Sequence, residues 1–369
     1  MLSDYMSIVS LTENEDQIKS ITKNRPLASI PIGGRYRIID FTLSNLVNSG
    51  IRNVGILTQS KSRSLIDHLG SGKPWDLDRK LNGLFIFNYG MGSSYFNDIE
   101  MLKNNLEYLY RSKEDKVILT CSYMIANLSY IDAAKFHEKS GKDITIIYKK
   151  INDGKLNFKD RNVLNLDNNN NVLGVGKNIG TKNELNISMD MFIMSKKLLI
   201  DILNKCIETG YFGSIREWIY KNIEKLNVNA FEFNGYLQCV SSINSYYKAN
   251  MDMLNLDINK ELFFKNGLIY TKVKDEAPTK YVNGSSVSNG LIANGCIIKG
   301  SIKNSVISRR VVVEENAEIE NCIIMQNSIV KKGSRLKNVI IDKNIIIEEN
   351  SELKGDLEFP LVIEKRTLV

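Results

Sequence analysis

A six-residue hydrophobic period is the sequence feature that most restricts the fold of this chain. From about Ser285 to Val369, short clusters of β-branched residues recur between Gly, Asn and Ser. Aliphatic residues six positions apart are Ile292 and Ile298, Val306 and Val312, Ile323 and Ile329, and Ile341, Ile347 and Leu353. This period puts one aliphatic side chain on each flat face of a triangular coil, whose apolar edge is buried only by the next coil. The pattern predicts a parallel β-helix, and an antiparallel sandwich with a repeating alternation is the alternative.

Residues 1 to about 255 have a different pattern, in which strand-like and helix-like segments alternate. The candidate strands are Tyr5–Leu11, Val54–Thr58, Lys116–Thr120 and Asp143–Lys149. Such alternation predicts an α/β domain with a mostly parallel sheet covered on both faces, and ligands at the carboxyl ends of its strands. We therefore predict domains at residues 1–256 and 285–369, joined by a linker at residues 257–284.

The composition narrows the chemistry open to this chain of 369 residues. Its net charge of +7 is spread thinly, which favours anionic ligands such as phosphorylated metabolites over nucleic acid. Two histidines, His68 and His137, and five cysteines without a C-x-x-C pair argue against a zinc site. Residues 285–369 contain no histidine, which argues against a hexapeptide-repeat acyltransferase that uses a histidine base.

The location of the protein can also be predicted from composition. The sequence has no run of about 18 consecutive apolar residues, the length of a membrane span. Residues 1–11 lack the cationic flank and apolar run of a signal peptide. Unpaired cysteines are typical of a reducing compartment, so we expect a cytoplasmic protein without a membrane partner.

One segment, Ile32–Phe41 with the sequence IGGRYRIIDF, is highly specific. It is accompanied by Leu43-Ser44-Asn45, Asn48-Ser49-Gly50-Ile51, Leu57-Thr58-Gln59 and Tyr246-Tyr247-Lys248-Ala249-Asn250. Together these motifs resemble bacterial glucose-1-phosphate adenylyltransferases (ADP-glucose pyrophosphorylases), and the resemblance extends along the whole chain. It implies a Rossmann-like nucleotidyltransferase domain followed by a left-handed β-helix, in a tetramer. It also implies the synthesis of ADP-glucose from ATP and glucose 1-phosphate for glycogen.

The sequence departs from that family where the reaction needs charge. Nucleotidyl transfer needs a glycine-rich loop for the triphosphate, a cation, and carboxylates that hold Mg2+. The loop after the first predicted strand instead reads TENEDQ (residues 12–17), and no glycine precedes Gly33. The family's lysine falls at Leu27, and its two metal-binding aspartates fall at Ser122 and Cys239.

These losses make the chain most similar to the family's D-type, non-catalytic subunit. The resemblance implies a regulatory subunit without a cofactor of its own, with Mg2+ expected only in a catalytic partner subunit. The expected assembly is a hetero-tetramer, or a homo-oligomer when the chain is alone. An active sugar-phosphate nucleotidyltransferase with a rewired site is the alternative, and a homomeric metabolite sensor is another.

The resemblance also implies where small molecules bind. Arg35, Arg37, Arg309 and Arg310 are predicted to bind a phosphorylated effector between the domains, because arginine binds phosphate with two parallel hydrogen bonds. Structural support of Arg37 by Asp40, with solvated Arg309 and Arg310, is the alternative. Thr58 and Gln59 are predicted remnants of a nucleotide site, and Lys177 is a predicted remnant of a sugar-phosphate site.

Overall fold

A computed structural model describes residues 1–58, 61–88 and 97–365 of the chain, so Gln59 lies outside the described residues. The chain divides into two compact units that do not follow chain order. Unit 1 comprises Met1–Glu13, Phe41–Leu237 and Asn266–Tyr270. Unit 2 comprises Asn14–Asp40, Gln238–Lys265 and Thr271–Val369. This division differs from linear domains at residues 1–256 and 285–369, because Asn14–Asp40 and Gln238–Lys265 group with the C-terminal repeats.

The strands before residue 266 are β1 (Tyr5–Ser10), β2 (Pro31–Ile32), β3 (Tyr36–Arg37), β4 (Asn53–Thr58), β5 (Gly83–Asn88), β6 (Lys116–Thr120), β7 (Met124–Ile125), β8 (Ile144–Ile151), β9 (Asn162–Leu166), β10 (Val172–Lys177), β11 (Leu185–Ser195), β12 (Val228–Glu232) and β13 (Gln238–Cys239). The helices are α1 (Lys19–Thr22), α2 (Ile38–Asn48), α3 (Arg63–Leu69), α4 (Asp98–Asn104), α5 (Leu106–Arg111), α6 (Tyr130–Ser140), α7 (Lys196–Glu208), α8 (Ile215–Lys221), α9 (Ile243–Asp252) and α10 (Leu256–Phe264). All four predicted strands are present.

Unit 1 is built on a mixed sheet in the order β10-β9-β11-β6-β1-β4-β5, and β8 pairs with β11 and β12. The strands β6, β1, β4 and β5 are parallel, whereas β11 runs antiparallel to β6. Helix α7 shows how the faces are covered. Ser195 caps the N-terminus of α7. The buried residues of the helix recur at helical spacing and form one apolar face, which comprises Leu199, Ile202, Leu203 and Cys206. This arrangement confirms the α/β class and leaves strand ends available to carry polar groups.

The strands after residue 279 are β14 (Lys280–Tyr281), β15 (Ser286–Ile292), β16 (Ile297–Ile298), β17 (Ser301–Ile307), β18 (Val312–Val313), β19 (Glu318–Glu320), β20 (Ile323–Ile324), β21 (Ile329–Val330), β22 (Arg335–Lys337), β23 (Val339–Ile341), β24 (Ile346–Ile347), β25 (Glu352–Lys354) and β26 (Leu361–Ile363). Strands of successive coils pair in parallel, as in β16 with β18 and β18 with β21. The predicted parallel β-helix is confirmed, and the antiparallel sandwich is wrong.

The phase of the repeat differs from the sequence pairs in two places. Ile307 and Val313, not Val306 and Val312, belong to the β-helix core. Likewise Ile324 and Val330 belong to it, rather than Ile323 and Ile329. The strands β17, β18, β20 and β21 each hold two adjacent aliphatic residues, and only one of each pair belongs to the β-helix core. The period was therefore readable from the sequence, but the inward member of each pair was not.

Two segments that precede the β-helix in the sequence, Asn14–Asp40 and Gln238–Lys265, pack within unit 2. The buried Arg25 Nη2 lies 2.6 Å from Asp342 Oδ1, and Tyr247 Oη donates to the Asn321 carbonyl at 2.7 Å. Gly34 has a φ of +77°, and a Cβ there would lie 3.1 Å from the Ile307 carbonyl. The turn between β2 and β3 therefore needs glycine for both its conformation and its close approach to a β-helix coil.

All five cysteines are buried and none is disulfide-bonded. His68 packs against Trp75, and His137 Nδ1 lies 2.8 Å from Thr145 Oγ1, so both histidines have structural surroundings. Across residues 1–58, 61–88 and 97–365, no helix combines the length and the apolar character that crossing a membrane requires.

Candidate functional site

The loop that follows β1 bears carboxylates, and two of them are engaged by the chain itself. In unit 1, Glu13 Oε1 accepts hydrogen bonds from the Ser122 backbone N–H at 3.3 Å and from Ser122 Oγ at 3.0 Å. In unit 2, Glu15 Oε1 accepts from the Leu27 backbone N–H at 2.6 Å. Glu13 thus contacts Ser122 and Glu15 contacts Leu27, two positions at which the resemblance implies a charged catalytic side chain.

The residues at the two family metal positions do not fit Mg2+. Mg2+ prefers carboxylate and water oxygens in octahedral geometry. Ser122 is buried and its hydroxyl donates to Glu13, while Cys239 offers a buried thiol, a soft ligand. Within the described part of the chain, no three His, Cys, Asp or Glu side chains are grouped to hold a metal ion. We therefore derive no metal-assisted step.

Arg216, in the first turn of α8, is the central cation of unit 1. Its side chain is only 9% exposed. Its Nη2 donates to Thr12 Oγ1 at 3.3 Å, and its Nη1 donates to Tyr123 Oη at 3.3 Å. Burial opposes its charge, yet Tyr123, Asp190, Cys121 and Glu13 raise the pKa of Arg216 well above its ordinary value. The guanidinium is therefore held as a buried cation.

Asp190 interrupts the apolar strand β11 beside Arg216. It adopts a φ of +53° at an irregularity in the β11–β8 pairing, between Ser188 and Met191. The hydroxyls of Tyr123 and Tyr220 donate to its two carboxylate oxygens, and its Oδ2 lies 3.8 Å from Arg216 Nη1. This strained backbone is stabilised by a complete set of partners.

A third carboxylate, Asp98, anchors the start of α8. Its Oδ1 accepts from the Ile215 N–H at 2.9 Å, and its Oδ2 accepts from Ser10 Oγ at 3.0 Å. Burial raises the pKa of Asp98, and the charge of Arg216 opposes that rise. Burial likewise raises the pKa of Glu13 against the opposing charge of Arg216. We call Thr12, Glu13, Ser122, Tyr123, Asp190 and Arg216 the unit-1 polar cluster.

Sequence reasoning missed Arg216 and Asp190. A signal was present for Asp190, because a carboxylate within the apolar run LNISMDMFIMS (residues 185–195) is rarely buried without a partner. Arg216 gave no such signal, because an arginine in the first turn of a short helix is ordinarily exposed. Only their juxtaposition with Glu13 identifies both as parts of one cluster.

The predicted remnants lie in separate surroundings. Thr58 is buried at the end of β4, and its hydroxyl has no hydrogen-bond partner among the described residues. Lys177 is exposed on β10, and its Nζ donates to the Asp160 carbonyl at 3.4 Å. Leu27 is buried in unit 2. In the described part of the chain, the Thr58 hydroxyl and the Lys177 ammonium form no hydrogen bond with the unit-1 polar cluster.

A second group of charges lies wholly within unit 2. Burial and the positive charge of Arg35 lower the pKa of Arg309, and burial, Arg309 and Arg37 lower the pKa of Lys274. Burial and the charges of Arg37 and Arg25 lower the pKa of Lys343 to about 6. We call Arg35, Arg37, Lys274, Arg309 and Lys343 the unit-2 cationic cluster. Lys274 and Lys343 were missed because neither belongs to a motif.

Arg310 is engaged differently from Arg309. It adopts a φ of +58°, as Asn327 and Asn344 do at the matching corner of later coils. Its Nε lies 2.6 Å from Glu276 Oε2. The Arg37 backbone N–H donates to Asp40 Oδ2 at 2.9 Å, which supports the start of α2. Of the four predicted effector arginines, Arg35, Arg37 and Arg309 therefore belong to the unit-2 cationic cluster. The fourth, Arg310, forms an ion pair with Glu276.

Known proteins match both parts of the chain. Residues 16–155 match the nucleotidyl transferase family, and residues 277–359 match the GlmU-like C-terminal hexapeptide family. The glycogen biosynthesis protein GlgD of Bacillus subtilis (strain 168) is 33% identical over 320 residues, covering 86% of this chain and 83% of GlgD. The glucose-1-phosphate adenylyltransferase of Mycoplasma mobile is 32% identical over 312 residues, covering 82% and 81% respectively. The chain belongs to the glucose-1-phosphate adenylyltransferase family.

Relatives named GlgD and relatives named glucose-1-phosphate adenylyltransferase thus each align with most of this chain. A second GlgD, from Geobacillus stearothermophilus, is 32% identical over 323 residues. Membership in the glucose-1-phosphate adenylyltransferase family confirms the resemblance found in the sequence motifs. It places the chain among nucleotidyltransferases of glycogen synthesis, with a hexapeptide-repeat region after the nucleotidyl transferase region.

Proposed function

We propose that this chain is a non-catalytic regulatory subunit of glucose-1-phosphate adenylyltransferase in glycogen synthesis. It pairs with a catalytic subunit in a hetero-tetramer and modulates that subunit's activity. Mg2+ and substrates bind to the catalytic partner. The similarity to two proteins named GlgD supports this proposal beside the similarity to the adenylyltransferases.

The contact between Glu13 and Ser122 is the observation that carries the proposal. By resemblance, Ser122 occupies the position of a metal-binding aspartate in the family. Its two donors bind Glu13, a carboxylate of the loop that, in catalytic members of the family, is expected to bind the triphosphate. A triphosphate there would meet a carboxylate where it needs donors, and like charges a few ångströms apart repel by about 1 kcal/mol or more. Catalysis of phosphoryl transfer depends on charge stabilisation that these residues do not offer.

Mixing the chain with a catalytic glucose-1-phosphate adenylyltransferase from the same source tests this function. We expect a single species whose mass corresponds to four chains and which contains both proteins. We also expect the reaction rate or the effector response of the catalytic subunit to change. Separate elution of the two proteins with unchanged kinetics would contradict the proposal.

The unit-2 cationic cluster is the proposed effector site. Arg35, Arg37 and Arg309 are joined there by Lys274 and Lys343, and burial together with mutual repulsion lowers the pKa of Arg309, Lys274 and Lys343. A phosphate group relieves such repulsion and accepts charge-assisted hydrogen bonds, each worth about 1.5–3 kcal/mol. The ligand class is therefore a phosphorylated small molecule.

Arg35→Ala combined with Arg309→Ala is expected to weaken binding of a sugar bisphosphate by at least about tenfold, because two charge-assisted contacts are lost. Isothermal titration calorimetry of the purified chain measures this change. Arg310→Asn is the matched control, since it removes a neighbouring positive charge and keeps the corner conformation seen at Asn327. Equal affinities of the double variant and the wild type would reject this site.

Lys343→Met is expected to stabilise the chain at neutral pH. The pKa of Lys343 is about 6 in the folded chain against an ordinary 10.5, so the unfolded chain binds more protons between these values. Wild-type stability should therefore rise with pH from about 6 to about 10.5, and the advantage of the variant should shrink over that range. Denaturant unfolding at several pH values, without phosphate, measures it. Lys332→Met on an exposed coil position is the control, and parallel pH profiles of Lys343→Met and wild type would contradict the prediction.

A further inference from the structure

The donors that surround Glu13 have the chemistry of an anion site. One backbone N–H and one hydroxyl, both from Ser122, converge on a single carboxylate oxygen at 3.3 and 3.0 Å. Ser122 is fully buried, so neither donor is satisfied by bulk water. The buried guanidinium of Arg216 supplies the positive charge, and its Nη2 also fixes Thr12, the residue before Glu13.

The other two carboxylates near Arg216 belong to the framework. Asp190 is bound by Tyr123 and Tyr220, and Asp98 caps the first turn of α8 while it accepts from Ser10. Removing either one would leave several buried donors unpaired. Glu13 is different, because it reaches this position from a loop and its Oε1 accepts two hydrogen bonds from Ser122.

We propose that the two Ser122 donors, in the field of the buried Arg216 guanidinium, form a binding site for one carboxylate or phosphate group, and that the chain's own Glu13 carboxylate occupies it. The site lies wholly within unit 1. The tethered carboxylate acts at an effective concentration in the millimolar range or above, so a free anion competes poorly in the wild type.

This inference does not rest on the regulatory role. An active enzyme would have to withdraw Glu13 to admit a triphosphate, whereas a regulatory subunit keeps it in place. The occupied site can therefore be tested on the isolated full-length chain, and its result is separate from the assembly test with a catalytic subunit.

Chemical rescue of Glu13→Ala tests the proposal. Thermal unfolding of the full chain is measured at pH 8 in sodium acetate and in sodium chloride of equal ionic strength. We expect the variant to melt several degrees below the wild type in chloride, and acetate to restore at least half of that loss with saturation in the millimolar range. The wild type should melt equally in acetate and chloride.

Asp16→Ala is the matched control, because it removes an exposed carboxylate from the same loop. It should behave like the wild type in both salts. Glu13→Gln keeps an oxygen acceptor for Ser122 but lacks the charge, so it should be less stable than the wild type and insensitive to acetate. Equal melting of Glu13→Ala in the two salts would overturn the proposal, as would wild-type stability of Glu13→Gln. If Glu13→Ala fails to fold in chloride, folding in acetate supports the site and failure in both salts overturns it.

Discussion

The purified chain is expected to convert ATP and glucose 1-phosphate at least about a thousandfold more slowly than a catalytic member of its family. Removing one group that stabilises transition-state charge costs about 100- to 1,000-fold in related chemistry. Here the resemblance implies that Leu27, Ser122 and Cys239 stand in place of a lysine and two aspartates. In addition, the negatively charged carboxylate of Glu13 lies against Ser122. Measurement of diphosphate release with Mg2+ and saturating substrates checks this expectation.

The glucose-1-phosphate adenylyltransferase of Mycoplasma mobile is a suitable positive control in the same assay. Turnover by the isolated chain near the typical enzyme value of about 10 per second would show that its site is rewired rather than lost. In that case the regulatory proposal fails, whereas the rescue of Glu13→Ala by acetate remains an independent test of the unit-1 polar cluster.

Arg25→Met is expected to destabilise unit 2 by about 3–5 kcal/mol, because it leaves the buried Asp342 carboxylate without its counter-ion. The two side chains are 7% and 5% exposed, and the Arg25 Nε also donates to the Ile21 carbonyl at 2.9 Å. The pair joins the segment 14–40 to a β-helix coil. Denaturant unfolding of the full chain, followed by circular dichroism, measures the loss.

Two controls separate a buried ion pair from a general loss of charge. Lys23→Met removes an exposed partner of Glu364, 3.7 Å away, and should leave the unfolding midpoint unchanged. Arg25→Met combined with Asp342→Leu removes both charges and should recover much of the lost stability. A midpoint for Arg25→Met equal to that of Lys23→Met would show that the pair contributes nothing.

Local patterns accounted for the parts of the fold that repeat or alternate. The strands β1, β4, β6 and β8 were predictable because each is a short apolar run between polar segments. The β-helix was predictable because its coils bury the same face again and again. The choice between Val306 and Ile307 was not, because these two adjacent aliphatic residues at the end of β17 satisfy the same period in either phase.

The candidate site shows the same division. The losses at Leu27, Ser122 and Cys239 could be found by residue type alone, since a hydroxyl, a thiol and an aliphatic chain cannot replace carboxylates and an amine. The contact between Glu13 and Ser122, 109 residues apart, could not be found in this way. Arg216 could not be found either, because an arginine in the first turn of a short helix is ordinarily exposed. Asp190 stands out in its apolar strand, but its partners could not be identified from the sequence.

The sequence by itself determined the two architectures, the family and the absence of the family's charged catalytic side chains, because these depend on residue type and local spacing. The tertiary structure alone decided that Glu13 binds Ser122, that Arg25 pairs with Asp342, and that the charge of Arg37 acts on Lys274 and Lys343. Electrostatic partners are chosen by distance and burial, and side chains far apart in the sequence acquire both only when the chain has folded.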